Sequence, residues 1–376
     1  MKILFIALFS LVVIRGIFAQ NYESYKKLKD TTFQSNSLGY NKDLSIIVPL
    51  EWEPSIAKKF PVILIFDKQN QRSNNYMINT IDYITTNYQM PSCIIISVAS
   101  DFKYRYKETS YSISTTLGKA KENEQFIFDE LLPFAEQELN AGSFRMLIGH
   151  SRYGYYTTSL FINRINDLNA VIALCPFYEQ KKINFADSTI HYYPKNHQPV
   201  KYYRAGIESD YMEDYYQLEN QVNKNHINIK GTEFKHADHN VIPGLAIASA
   251  LYEIFHFWAK EQNKYYSNTV FDAKELELIA ENIQNHYGEK MHLSIGVLNG
   301  KGWGLFGEKE YKKAIQAWEL LLKEYPNFAD AYWGIIDAQK ELKIDTNATI
   351  RAFKKCLADY DYYTPEEKEE MLKELE

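Results

Sequence analysis

Between Ser45 and Phe257 the chain alternates short, β-branched apolar runs with longer stretches of helical period, an order that few folds accommodate. The runs are Ser45–Pro49, Val62–Phe66, Cys93–Val98, Arg145–Ile148, Ala170–Leu174, Lys201–Arg204 and Ile227–Phe234. Several are almost continuously apolar, as strands are when helices cover both faces of a parallel sheet. Helical period is plainest over Glu122–Leu139, with an apolar stripe of Phe126, Phe128, Leu131, Leu132 and Phe134, and over Gly154–Arg164. A closing helix over Gly244–Lys260 sets Leu251, Ile254, Phe255 and Trp258 on one side. The pattern predicts an α/β domain.

The polar stretch Glu261–Ser267 reads as the end of that domain, and no strand pattern follows it. The tail carries a repeat instead. Ala314 and Ala348 stand 34 residues apart, Tyr311 and Trp318 flank the first, Phe353 follows the second, and Pro326 marks a turn. This spacing resembles the tetratricopeptide repeat, with Gly302 also at a small-residue position. Two amphipathic helix pairs of other ancestry are the competing reading. Fewer than three units cannot stand alone as a solenoid, so the tail should pack on the larger domain or on another chain. The expected division is a leader over 1–19, an α/β domain over 20–262, a helical linker over 263–292 and an all-α tail over 293–376.

A length of 376 residues suits one large and one small domain, and 45% hydrophobic with 24% charged residues is globular composition. Lys2, the apolar run Ile3–Ile14 and the small residues around Gly16 and Ala19 form the layout of a secretory signal peptide. The run is too short to span a bilayer. An uncleaved anchor is the other reading of this segment. Cleavage after Ala19 removes Lys2 and Arg15 and takes the net charge from -6 to -8. A chain this acidic gives no sign of binding nucleic acid. Cys93, Cys175 and Cys356 are too few and too scattered for a disulfide framework or a zinc site. The expectation is an exported protein, periplasmic or secreted, with neither metal nor cofactor and no membrane span once the leader is cut.

The chemistry is concentrated in Arg145-Met146-Leu147-Ile148-Gly149-His150-Ser151-Arg152-Tyr153-Gly154. An apolar strand runs through Gly-His-Ser into a helix, the setting of a nucleophile elbow that lifts a hydroxyl to the carboxyl edge of a sheet. The second glycine of the usual Gly-x-Ser-x-Gly pattern is Tyr153, with Gly154 one place later. A serine that only caps the helix is the alternative. The Arg152 main-chain N–H, at the helix start, is the first oxyanion donor; Lys68 or Gln69, after Val62–Phe66, offers the second. His239 is the expected base, lying between the last strand and the closing helix, with His236 as the alternative. The acid follows Lys201–Arg204 as Glu208 or Asp210, giving the chain order Ser, acid, His.

From about Lys59 to Trp258 the chain resembles the putative esterase family that contains esterase D and the enterochelin esterases. The resemblance is carried by Phe60–Asp67, by Ile94–Val98 with Tyr104–Ser110, by the helix Phe126–Phe134, by Gly149-His150-Ser151 and by His239-Asn240-Val241, in family order. It implies an α/β-hydrolase fold and hydrolysis of a carboxylic ester or thioester through an acyl-enzyme on Ser151, with His239 as base. Lys68 and Tyr153 depart from the family's glycines, and the departure implies that Tyr153, Tyr155 and Tyr156 narrow or cover the pocket. Three functions follow: an exported esterase for a small ester such as a siderophore or a plant-derived acyl sugar, acyl transfer on the same fold, or a non-catalytic relative whose tail docks a protein partner.

Overall fold

The computed structural model describes residues 22–375 apart from 56–57, 113–116, 191, 193–198, 223–225, 269–270 and 361–362. The leader expected over 1–19 lies outside them.

An antiparallel pair comes first, β1 (Tyr25–Ser35) and β2 (Tyr40–Pro49). Then follow β3 (Phe60–Phe66), α1 (Gln71–Thr86), β4 (Ile94–Val98) and the short α2 (Phe102–Glu108). The predicted amphipathic helix is a continuous rod: α3 (Ala120–Gln125), one π-helical segment over Phe126–Leu131, and α4 (Leu132–Glu138). The chain continues through β5 (Ala141–His150), α5 (Arg152–Asn163), β6 (Ala170–Leu174) and a two-residue hairpin, β7 (Glu179–Gln180) and β8 (Ile183–Asn184). It closes with β9 (Lys201–Ile207), α6 (Met212–Asn220), β10 (Ile227–Glu233) and the long α7 (Ile242–Ser267).

Eight strands lie in the order β1-β2-β4-β3-β5-β6-β9-β10, antiparallel as far as β2–β4 and parallel beyond. This is the α/β-hydrolase arrangement. β1 was absent from the sequence reading because its Lys-rich pattern, exposed over much of its length, is that of an edge strand. Neighbouring residues of β3 show how the sheet is clad. Ile63 and Ile65 belong to the core shared with α1 and α7, while Val62 and Leu64 belong to the core under α5 and the rod 120–138. Because side chains alternate across a strand, one continuous apolar run supplies both layers.

The polar stretch taken for a boundary is instead the last turns of α7, with Glu261, Gln262 and Tyr265 buried. Polar groups on later elements satisfy them: Asn282 Nδ2 donates to Glu261 at 3.1 Å, and Ser294 Oγ donates to Gln262 at 3.0 Å. The helices α8 (Ala273–Tyr287), α9 (Ile295–Gly307) and α10 (Tyr311–Glu324) join the same core as the sheet. Tyr287, Val297, Leu298 and Trp318 pack in one cluster with Ile63 and Trp258. The root of the tail is also tied to the sheet by hydrogen bonds. Tyr287 O accepts from Asn169 Nδ2 at 2.9 Å, and the Glu289 carboxylate accepts from the Phe144 amide and from Ser143 Oγ. A smaller cluster of Ile336, Phe353 and Leu357 joins α11 (Ala329–Glu341) to α12 (Asn347–Asp359), and α13 (Pro365–Lys373) ends the chain.

Candidate active site

Ser151 stands between β5 and α5 with φ 59° and ψ -115°. A residue with a Cβ holds such a conformation only where its surroundings enforce it, at a cost of about 1–3 kcal/mol. Two close approaches do so here. A Cβ on Gly149 would lie 2.2 Å from the Tyr153 carbonyl oxygen, and one on Gly154 would lie 2.9 Å from that of Leu174. The turn is therefore as tight as an elbow requires. The helix–strand contact usually made at the second glycine of the motif is made by Gly154. The Ser151 amide donates to Leu174 O at 2.8 Å, fixing the turn to β6.

His239 and Glu208 arrive from separate loops after β10 and β9. Glu208 Oε2 lies 2.9 Å from His239 Nδ1, and since a carboxylate only accepts, Nδ1 carries the proton and Nε2 is left as the basic nitrogen. Asp210 sits in a single 3-10 turn over Ser209–Tyr211 and is exposed, and the hydrogen bond to the imidazole is made by Glu208. His236 is likewise exposed and points to no partner of this set.

The main chain of His239 is pinned as firmly as its ring. Its carbonyl oxygen is 3.1 Å from Cys175 Sγ and 3.2 Å from His150 Nε2. The two imidazole centroids are 4.8 Å apart. Burial, then the neighbouring His239, keeps His150 below the usual histidine range, so its ring stays neutral. His150, Cys175 and His239 are also the one His/Cys group among the described residues compact enough to hold a metal. Two of those three side chains are already engaged with the His239 carbonyl.

The imidazole therefore lies against the ring of His150, the residue that precedes the serine in the chain. Among the described residues no hydrogen bond joins the Ser151 hydroxyl to it.

The expected oxyanion donors divide. The Lys68 amide donates to Val98 O at 3.1 Å, because β3 and β4 still pair at that point, so it is not available to substrate. Lys68 Nζ turns outward to Asp30. The Gln69 amide has no acceptor among the described residues, and its side chain is held by Asp67 at 2.9 Å and by the Ser100 amide at 2.8 Å. The Arg152 amide is the first of α5 and has no partner inside the helix.

Two supporting groups were not assigned roles from sequence. Arg105 grips Asp67 through two bonds of 2.8 and 2.6 Å and donates to His150 O at 3.2 Å, tying the loop after β3 to the turn before Ser151. Glu108 is fully buried and accepts from Lys42 Nζ at 2.8 and 2.9 Å, from Tyr40 at 2.7 Å and from Ser100. Tyr153 joins this group, stacked on Phe66 at 4.5 Å. Its ring is buried, as are those of Tyr155 and Tyr156, whose hydroxyl donates to Ala120 O. The three tyrosines are core residues and do not cover the site, contrary to expectation. The helix turns them inward, an orientation that spacing alone does not give.

The putative esterase family model matches residues 35–296, more than half of the chain. No curated protein matches the sequence. Among solved structures it is similar to an IroE-like serine hydrolase from Shewanella oneidensis, at 14% identity over 80% of this chain and 100% of that one, TM-score 0.61. An uncharacterised protein from Capnocytophaga ochracea is 13% identical over 92% of this chain and 99% of that one, TM-score 0.56. The siderophore hydrolase EstB from Aspergillus nidulans is 12% identical over 64% and 99%, TM-score 0.53. At such identities the shared feature is the fold.

Proposed function

The chain belongs to the putative esterase family, and from that premise we propose that it is an exported serine hydrolase cutting a carboxylic ester or thioester through an acyl-enzyme on Ser151. The observation that carries this reading is the Glu208–His239 bond set beside an elbow whose serine holds a φ of 59°.

In the first half-reaction His239 Nε2 takes the Ser151 proton while Oγ bonds to the ester carbon. The Arg152 and Gln69 amides face the resulting oxyanion, and Glu208 steadies the imidazolium. Collapse breaks the bond to the leaving alcohol or thiol, which departs with the proton from Nε2. Water then attacks the acyl-enzyme, gives its proton to His239, and releases the acid as Oγ recovers that proton. An alcohol in place of water would give acyl transfer by the same steps.

A fluorophosphonate probe tests the assignment. Rapid labelling of the wild type, absent in Ser151→Ala, is the expected result. Equal labelling of the two proteins, or none in either, would overturn it and favour a binding module, the reading that the unbonded Ser151 hydroxyl also fits. Export is tested by the mature protein beginning at Gln20.

A further inference from the structure

We infer that this site is built for an ester carrying a negative charge, received by the Arg152 and Lys181 side chains across the ring of Tyr106; the inference rests on Ser151 being the nucleophile. Three elements at the carboxyl edge of the sheet converge there: the start of α5, the turn between β7 and β8, and α2. The Arg152 guanidinium lies 4.2 Å from the Tyr106 ring centroid, and Lys181 Nζ lies 4.9 Å from it. Arg152 is the residue that follows the nucleophile, so whatever its side chain binds is held beside the reacting carbonyl.

Two cations against one ring repel each other, and surfaces normally interleave a carboxylate to relieve this. None does here: among the described residues Arg152 forms no ion pair, and the Arg105 guanidinium bears on it as a like charge. Arg105 has its own carboxylate in Asp67, so its charge is spent. Nη1 of Arg152 is buried and has no hydrogen-bond acceptor among the described residues. A buried guanidinium nitrogen without an acceptor, on a half-buried side chain, is costly unless a ligand supplies the missing oxygen. Lys181 and Lys182 hold φ values of 48° and 71°, a turn that Asn and Gly fill more readily than lysine, and the turn presents Lys181 to Tyr106. A carboxylate, sulfate or phosphate on either side of the scissile bond would satisfy both cations, whereas a neutral ester would leave them opposed.

The test compares esters that differ in one charge. 4-Nitrophenyl butyrate and 4-nitrophenyl hemisuccinate vary the acyl side; phenyl acetate and 4-acetoxybenzoate vary the alcohol side. The readout is the ratio of kcat/KM, charged over neutral, at low ionic strength. In at least one pair the wild type should favour the charged ester by about ten-fold or more. That ratio should fall at least about five-fold in Arg152→Gln and in Lys181→Gln. Lys103→Gln, which removes an exposed cation stacked on Tyr104 instead, should leave the ratio within about two-fold. No preference in either pair, or a preference untouched by both substitutions, overturns the inference. Ser151-dependent turnover of the neutral esters in that case leaves the hydrolase reading standing, while the absence of any Ser151-dependent turnover or labelling ends both.

Discussion

The phenol of Tyr153 donates a 2.7 Å hydrogen bond to Glu108, so the residue that replaces a family glycine in the nucleophile turn is tied to the buried carboxylate at the end of α2. Tyr153→Phe keeps the ring on Phe66 and removes that bond together with the hydroxyl's 3.1 Å contact with Ser100 Oγ. It should cost about 1–3 kcal/mol in urea unfolding.

Glu108→Gln should cost more, about 3–5 kcal/mol, because it leaves the buried Lys42 ammonium unpaired. Burial raises the Glu108 pKa, but Lys42 and the hydroxyl donors outweigh this and hold the group below its ordinary value. A carboxylate lowered in the folded state stabilises above its unfolded pKa, and that contribution is lost as pH falls toward the folded value. Wild-type stability should therefore drop on acidification below about pH 4.5, and Glu108→Gln should flatten that limb of the curve.

Glu208→Gln should lower kcat/KM by about a thousand-fold or more, since the amide no longer enforces a protonated Nδ1. Asp210→Asn, on an exposed turn, should stay within about two-fold of wild type. Ester hydrolysis by the two variants, measured side by side, checks the choice of acid.

Arg105 spans two loops. Arg105→Lys loses the two-pronged grip on Asp67 and should lower kcat about ten-fold or more while the fold survives, because the Gln69 amide is then free to drift from its place relative to Ser151. Circular dichroism and saturation kinetics together separate this from unfolding.

His286 is held down to about 4, because burial against Phe257, at 3.9 Å centroid distance, disfavours its charged form. The unfolded chain binds a proton near 6.5, so the folded state loses stability as pH falls from about 6.5 toward 4. Urea midpoints at several pH values should show that slope in the wild type and a shallower one in His286→Gln.

Much of this architecture was legible because local pattern and global burial agree. β6 was predicted to its last residue, Ala170–Leu174, since a strand buried on both faces is apolar throughout. The turn at Gly149-His150-Ser151 was equally plain, strand on one side and helix on the other. What stayed hidden depends on distant partners. The engagement of the Lys68 amide is set by the register of β3 against β4, which no local window contains. The choice between Glu208 and Asp210 turns on a single 3-10 turn. Glu261 and Gln262 look like surface residues until Asn282 and Ser294 are folded over them.

The helices after residue 267 close one layer of the sheet, which bears on how the chain matures. Trp258 and Tyr265 share one apolar cluster with residues of α9 and α10, so on a ribosome that cluster stays incomplete until both helices have been made. Completion of the hydrophobic interior is thus deferred to the final stretch of translation, and a transcript cut short before α10 would yield an adhesive fragment and no smaller hydrolase.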